Sequence, residues 1–243
     1  MSFDINSLLP VEALLSPYRH STHPWLTWYS VSGERVELSG RVFDNWVAKS
    51  ANLLSEEFDL SAGDVVGIDM PGHWKSAALA LACWHLGAEL RCFTPGENPG
   101  DVDLFITSSP QTLDVGTSVE VLVVPLPSLA MSFDGQLPVG ATDFASEVRS
   151  YADSYFPSPI DTSGTALSHE STNMRFTDLF VQGRVPAGTT LVTTNWPLER
   201  LLPAIIELWS TGTSVVLIED GVEITKGLLD GERISVQLEQ DQN

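Results

Sequence analysis

The chain has 243 residues, of which 43% are hydrophobic, so it can build one large domain or two small ones. It carries 32 acidic against 12 basic residues, and the net charge of −20 excludes general binding to nucleic acids or anionic membranes. Cys83 and Cys92 form neither a disulfide framework nor a zinc-binding spacing. Because no secretory signal opens the sequence, we expect a cytoplasmic protein with reduced thiols.

The first half of the chain predicts a helix, a β-hairpin and an amphipathic helix. Four further strands follow, with a largely apolar helix between the first and second of them. In chain order these elements cover residues 10–18, 25–31 with 35–39, 41–57, 65–70, 73–86, 89–94, 103–109 and 119–126.

The second half predicts two helices and then a strand, a helix and a strand. These elements cover residues 144–156, 168–182, 190–196, 197–210 and 214–220. The last three repeat a pattern found earlier, because an Ala-Gly turn, a strand, a helix, a Gly and a strand occur in both places. Gly63 to Gly87 and Gly188 to Gly212 are both separated by 24 residues.

Strand–helix–strand units of this length connect parallel strands. We therefore predict an α/β fold of two pseudo-symmetric lobes, each with a mainly parallel sheet flanked by helices. The expected lobes are residues 1–135 and a truncated second lobe over residues 136–243.

A polar turn, Asp161-Thr-Ser-Gly-Thr165, precedes the predicted helix over 168–182. Backbone N–H groups at such a turn, together with the helix dipole, can bind phosphate. A capped loop without any ligand explains the same residues. The candidate phosphate loop consists of Thr162, Ser163, Gly164 and Thr165.

Two long stretches resemble the N-terminal part of the adenylate-forming superfamily, which includes acyl-CoA synthetases, luciferases and nonribosomal peptide adenylation domains. The first runs from GERVELSGR to LGAEL (residues 33–90). The second combines ALSHESTN (166–173) with AGTTLVTTNW to VVLIED (187–220). Over about residues 10–220 the chain is similar to a short actinobacterial family of AMP-binding-like proteins. The resemblance implies the N-terminal domain fold of an acyl-CoA synthetase.

The sequence departs from the superfamily where the chemistry is expected. The superfamily's phosphate loop reads Thr-Ser-Gly-Thr-Thr-Gly-x-Pro-Lys, but here Ala166 and Leu-Ser-His follow Thr165 directly. The second Gly and the Lys are missing, as are the adenine-binding segment, the ribose-binding Asp and the C-terminal domain with its catalytic Lys. Thr162–Thr165 is then a relic or a chance match. We expect no adenylation by this chain alone and no cofactor, with only weak support for ATP or AMP.

Ligands in open α/β sheets bind beyond the carboxyl ends of the strands. That rule predicts an inter-lobe crevice, although packing in the core explains the same side chains. Ser168, His169 and Glu170 are not expected to form a catalytic triad, because neighbouring residues on a helix do not face one another. The candidate crevice residues are His73, Trp74, Thr193, Thr194, Asn195 and Trp196.

Three functions remain open from the sequence. The leading one is a catalytically incomplete relative of adenylate-forming enzymes that binds a small acyl or nucleotide-like ligand, or an unknown protein partner. The second is half of a split ligase that needs another chain for the missing segments. The third is a structural or regulatory protein without a small ligand.

Overall fold

The computed structural model describes residues 10–113, 119–170, 172–181, 183 and 188–238. Two mainly parallel sheets with helices packed against them make up this part of the chain. The helices are α1 (Pro10–Leu15), α2 (Gly40–Glu57), α3 (Trp74–Leu86), α4 (Phe144–Glu147), α5 (Phe176–Leu179), α6 (Leu198–Ser210) and α7 (Lys226–Gly231). The strands are β1 (Pro24–Tyr29), β2 (Arg35–Ser39), β3 (Val65–Asp69), β4 (Glu89–Cys92), β5 (Leu104–Thr107), β6 (Glu120–Val123), β7 (Thr142–Asp143), β8 (Thr165–His169), β9 (Thr172–Arg175), β10 (Thr189–Thr193), β11 (Ser214–Ile218) and β12 (Val236–Leu238).

One sheet has five strands in the order β12-β10-β11-β1-β2, and the other has seven in the order β7-β6-β5-β3-β4-β8-β9. The strands pair in parallel except for the β1–β2 and β8–β9 hairpins. Helix α6 contacts β11 of the five-stranded sheet and β8 of the seven-stranded sheet. One large hydrophobic core joins residues of both sheets with α2, α3 and α6, and a smaller cluster forms around Leu191, Val216 and Ile218 of the five-stranded sheet. The α/β class and the mainly parallel sheets are as predicted.

The two predicted strand–helix–strand units are present. β3, α3 and β4 form one unit, and β10, α6 and β11 form the other. Gly87 and Gly212 follow the two helices with the same φ of 83°, a left-handed conformation that glycine adopts without strain. Gly63 and Gly188 lie in the described residues, whereas Ala187 of the second Ala-Gly turn lies outside them.

The sheets do not follow the predicted division at residue 135. The five-stranded sheet combines β1 and β2 with β10–β12, and the seven-stranded sheet includes β8 and β9. The cause is pairing between distant segments: Leu26 of β1 lies opposite Val215 of β11, and Leu90 of β4 lies opposite Leu167 of β8. Neither pairing leaves a pattern in the local sequence.

Two helix predictions are wrong. The sequence predicts a helix over residues 168–182, but β8 and β9 form an antiparallel hairpin there, and within the described part of this range only α5 is a helix. Residues 144–156 are helical only in α4 and in a 3-10 turn over Val148–Ser150. Pairing of β8 with β4 inside a sheet determines the first segment more strongly than the local propensity does.

Both cysteines are buried free thiols, and burial raises the pKa of Cys83 to about 12. No helix in the described part of the chain is long and apolar enough to span a membrane.

Candidate functional site

Strands of both sheets end at one crevice. Residues that follow β3, β4, β5 and β10 line a cavity of about 410 Å³, together with the end of β8 and the start of α6. Parallel strands bring their carboxyl ends to the same edge of a sheet, and ligands in open α/β proteins bind beyond that edge. This cavity, called the strand-end crevice below, is the candidate site.

Gly72 lies where the two halves of the crevice meet. A Cβ at this position would be 2.5 Å from Leu201 Cδ2 and 2.8 Å from Thr194 Cβ, so only glycine permits the approach. Gly72 and Thr194 also line a smaller cavity of about 220 Å³ on the other side of this contact. The contact therefore separates two adjacent cavities between β3 and β10.

Asp69 is the last residue of β3 and is almost completely buried. Burial raises the pKa of its carboxyl to about 6, and the hydroxyl of Thr107 partly opposes this by donating a hydrogen bond. Glu97 adds a smaller upward shift of this pKa through charge repulsion. A carboxyl that titrates near neutral pH in a crevice can donate or accept a hydrogen bond.

His169, at the end of β8, faces the first turn of α6. Its Nδ1 is 3.1 Å from the carbonyl oxygen of Cys92, and its Nε2 is 3.7 Å from Glu199 Oε1. Hydrogen bonding to a carbonyl favours the tautomer with the proton on Nδ1 and leaves Nε2 directed toward Glu199. The imidazole and the carboxylate thus lie side by side on one wall of the crevice.

Trp196 and Phe93 are the aromatic residues among the described lining of the crevice, and Trp196 carries a free polar group. Its ring is half-buried, its indole Nε1 has no hydrogen-bond partner within the described residues, and the guanidinium of Arg200 lies 5.8 Å from the ring centroid. An indole N–H usually finds a partner when buried. A ligand oxygen is a suitable acceptor for this group.

Of the six candidate crevice residues, Thr194 and Trp196 line the strand-end crevice. Thr193 Oγ1 donates to Asn195 Oδ1 over 2.7 Å, and neither residue lines that cavity. Thr194 Oγ1 accepts a hydrogen bond from the backbone N–H of Asp220. The structure therefore brings two of these four candidate residues, Thr194 and Trp196, into the crevice.

His73 and Trp74 have other surroundings. His73 lines the smaller cavity, where its Nδ1 caps α3 by accepting from the N–H of Lys75, and burial with the nearby Lys75 lowers its pKa to about 3. Trp74 is buried in the core, 5.2 Å from Trp46 between ring centroids, and its Nε1 donates to Ser128 Oγ. Packing thus accounts for the position of Trp74.

The candidate phosphate loop is a closed turn. Asp161 Oδ1 accepts hydrogen bonds from the backbone N–H and the hydroxyl of Ser163, and the N–H of Gly164 donates to the Asp161 carbonyl. Thr165 Oγ1 is bonded to Asn173 Oδ1, while the carbonyl of Thr162 accepts from the N–H of Thr177. An Asp carboxylate of the chain thus occupies donors that a phosphate would use.

This turn also lies away from the crevice. Thr165 begins β8, whereas the crevice lies at the carboxyl end of the same strand, marked by His169. No helix follows the turn directly in the sequence. The N–H groups of Phe176 and Thr177 at the start of α5 reach the turn, but they donate to the carbonyls of Gly164 and Thr162 and are therefore not free for an anion. Ser168, within β8, donates from its hydroxyl to Glu89 Oε1 of the neighbouring strand over 2.6 Å.

The candidate crevice residues predicted from the sequence do not include Asp69, His169 or Glu199. The strand-end rule that selected Thr194 and Trp196 applies equally to Asp69, so its position could have been found. His169 could not, because its segment was assigned to a helix. Glu199 lies on the first turn of α6, and only the packing of α6 against β8 brings it to His169.

The crevice has an acidic and apolar lining. Asp69 and Glu199 are its carboxyl groups, His169 is its imidazole, and no Lys or Arg is among the described residues that line it. Apolar surface comes from side chains such as Met70, Leu126 and Trp196. Negative potential at this position disfavours a polyphosphate and favours an uncharged or cationic group.

A protein of Mycobacterium tuberculosis described as a TIGR03089 family protein is 30% identical to this chain over 206 residues. The match covers 80% of this chain and 82% of that protein. The chain belongs to the TIGR03089 family. A scan of the sequence against protein-family models found no match.

Solved structures with this fold are acyl-CoA synthetases and adenylation domains. This TIGR03089 family member superposes on an acyl-CoA synthetase of Brucella canis with a TM-score of 0.77 and 16% identity, covering 97% of this chain and 50% of that one. It superposes on the N-terminal domain of FACL13 from Mycobacterium tuberculosis with a TM-score of 0.60 and 17% identity, covering 93% and 62%. The chain thus spans about half the length of the Brucella enzyme. Its fold is that of the N-terminal part of these enzymes, and the predicted resemblance in fold is confirmed.

Proposed function

We propose that this TIGR03089 family member is a catalytically incomplete acyl-CoA synthetase-like protein that binds a small, uncharged, partly apolar ligand in the strand-end crevice. An acyl group in neutral form or a nucleoside has this chemistry. The observation that carries the proposal is the lining: Asp69 and Glu199 supply carboxyl groups, Trp196 supplies an aromatic face, and no Lys or Arg is among the described residues that line the crevice.

The same lining opposes adenylation. In-line attack at an α-phosphate requires positive charge where negative charge develops. A triphosphate in the crevice would face Asp69 and Glu199, and the Thr162–Thr165 turn is closed by Asp161 at the other end of β8. Binding without activation of a carboxylate is therefore the function that the geometry supports best.

Calorimetric titration tests ligand class. Adenosine and an uncharged acyl amide such as hexanamide are the probes, with ATP as the charged comparison. We expect saturable binding of at least one uncharged probe and at least about tenfold weaker binding of ATP, because its phosphates meet two carboxyl groups without a cation. Tighter binding of ATP with magnesium than of both uncharged probes would contradict the proposal.

Trp196→Ala locates the ligand. Loss of a buried aromatic contact is expected to weaken the binding of the uncharged probe by about tenfold. Leu129→Ala, which shortens a side chain on the exposed surface, serves as the control and is expected to leave binding unchanged. Equal affinities in the wild type and Trp196→Ala would place the ligand elsewhere.

Pyrophosphate exchange tests the catalytic part of the proposal. The isolated chain is expected to exchange no pyrophosphate into ATP with a panel of carboxylic acids. Exchange by the isolated chain would refute catalytic incompleteness, whereas exchange that appears only after addition of a second protein would identify half of a split ligase.

A further inference from the structure

A second cavity, of about 460 Å³, lies outside the strand-end crevice. It is enclosed by α1, the loop that follows α1, the first turns of α2, the end of α3 and the segment 153–157. Gly40 makes this arrangement compact, because a Cβ there would lie 2.5 Å from the carbonyl oxygen of Tyr18. The close approach brings Arg19 and His20 beside Arg41, so basic groups collect around one cavity. We call it the α1–α2 cavity.

The acidic side chains of the α1–α2 cavity are already paired. Arg19 donates to both oxygens of Glu12 at 2.8 and 2.9 Å, and its Nε donates to Asp44 over 2.9 Å. Asp153 forms an ion pair of 2.7 Å with Lys49. Charge-assisted pairs of this kind satisfy the carboxylates and reduce their repulsion of an incoming anion.

Basic groups of the cavity are left without partners. Among the described residues, the side chains of Arg41 and His20 make no hydrogen bond or ion pair. The buried imidazole of His85 faces Glu12, with 3.7 Å between its Nε2 and Glu12 Oε2. Arg41 and His20, both exposed, are therefore the basic groups of the cavity that a ligand could engage.

The remaining wall is apolar and held in place. Tyr155, Phe156 and Pro157 form it, and the Phe156 side chain is 89% exposed. Asn52 Nδ2 donates to the carbonyls of Ala152 and Ser154, each over 3.0 Å, which fixes the segment against α2. A large exposed aromatic ring beside unpaired donors is suited to an apolar body that carries an acidic head.

We propose that the α1–α2 cavity binds a small organic monocarboxylate with an apolar body. The carboxylate would bind the guanidinium of Arg41 with His20 beside it, and the body would cover Phe156. A monoanion is favoured over phosphate, because one guanidinium is unpaired and because Glu12 and Asp44 lie near enough to repel a second negative charge. The site is separate from the strand-end crevice and does not depend on the function proposed for it.

Benzoate, benzamide and inorganic phosphate are the probes, and calorimetric titration is the measurement. Benzamide has nearly the shape of benzoate without its charge. At the α1–α2 cavity, followed through the backbone NMR shifts of its own residues so that an amide bound in the strand-end crevice is not counted, we expect benzoate to bind at least about tenfold more tightly than benzamide and phosphate. Benzamide lacks the charge-assisted hydrogen bond to Arg41, and phosphate is repelled by the nearby carboxylates. Backbone NMR shifts on addition of benzoate are expected at 19–20, 41–48 and 153–157.

Arg41→Gln is expected to weaken benzoate binding by about tenfold and to leave benzamide unchanged. Arg175→Gln, at another exposed arginine outside the cavity, and Trp196→Ala, in the strand-end crevice, are expected to bind benzoate as the wild type does. The proposal fails if benzoate shows no saturation, if Arg41→Gln binds it unchanged, or if phosphate binds more tightly than benzoate.

Discussion

Asp69 couples the strand-end crevice to pH. Its pKa of about 6 in the folded protein exceeds the ordinary value of 3.8, so the folded state holds this proton more tightly than the unfolded chain does. Between about pH 4 and pH 6 the unfolded carboxyl ionises first, and the free energy of unfolding falls as pH rises. Above about pH 6 the penalty of the buried charge is complete.

Asp69→Asn removes this penalty. We expect Asp69→Asn to gain stability over the wild type as pH rises. The difference in free energy of unfolding, variant minus wild type, should be about 1–3 kcal/mol larger at pH 7.5 than at pH 4, since two pKa units correspond to about 2.7 kcal/mol. Urea denaturation at both pH values measures it. Asp101→Asn, at an exposed position, is the control and should show no such pH dependence. If the free energies of unfolding of Asp69→Asn and the wild type differed by the same amount at both pH values, the raised pKa of Asp69 would be contradicted.

Gly72→Ala tests the contact between the two halves of the crevice. The added Cβ meets Leu201 and Thr194 at distances below 3.0 Å, so α6 or the β10–α6 loop must shift. Overpacking of this kind is expected to destabilise the protein by about 1–3 kcal/mol. Gly231→Ala is the control, because the new Cβ has open space around it. Urea denaturation should show that its free energy of unfolding differs from that of the wild type by no more than about 0.5 kcal/mol.

The residues of the crevice differ in how far the sequence could predict them. Thr194 and Trp196 follow a strand in a clear strand–helix–strand unit, so the strand-end rule places them near the sheet edge. His169 depends on a hairpin whose sequence, Thr-Ala-Leu-Ser-His, lacks the alternation of a half-buried strand. The pairing of His169 with Glu199 is a property of tertiary packing alone.

At the scale of elements, Gly63 before β3 and Gly87 after α3 are a matched pair of glycines with positive φ. Gly63 has a φ of 95° with open space around it, whereas Gly87 has a φ of 83° and a Cβ there would lie 2.6 Å from Ile160 Cγ2. Alanine at either position must adopt a left-handed backbone conformation, which costs about 1–2 kcal/mol of folding free energy. Gly87→Ala should lower the free energy of unfolding by at least about 1 kcal/mol more than Gly63→Ala. If urea denaturation gave the same loss in free energy of unfolding for both variants, a steric clash between the new Cβ and Ile160 would be excluded.

Elements with both an apolar pattern and clear end residues were predicted well. α3 carries an unbroken apolar run and ends at Gly87, and α6 follows a Pro and precedes Thr-Gly, so both appear where expected. The segment 144–156 has the composition of a helix, yet only its first half is helical. Its later carbonyls, at Tyr151, Ala152 and Ser154, accept hydrogen bonds from Lys49 and Asn52 of α2 instead.

At the scale of the whole molecule, the net charge of −20 makes the folded state repel itself. Salt screens this repulsion over a Debye length of about 10 Å at 0.1 M. We expect the thermal midpoint to rise by about 2–5 °C between 10 mM and 300 mM NaCl, measured by differential scanning calorimetry. KCl should act equally. A lower midpoint in salt would show that the described ion pairs outweigh the repulsion.

The sequence predicts the class of fold but not which strands share a sheet. Helical and strand periodicity are local, and the two repeated units could be read from them. Membership of a sheet depends on partners far apart in the chain, such as Leu26 with Val215, and the expected boundary at residue 135 therefore separates strands that the structure joins.

The position of β1 between β2 and β11 has a consequence for synthesis. The hairpin of β1 and β2 leaves the ribosome about 190 residues before β11, its parallel neighbour, is made. At about 5–20 residues per second, the apolar side chains of β1 wait for roughly ten seconds or more without that neighbour. Nascent chains stalled before β11 should therefore recruit chaperones at Trp25–Trp28, and release of the chaperone should follow completion of β11.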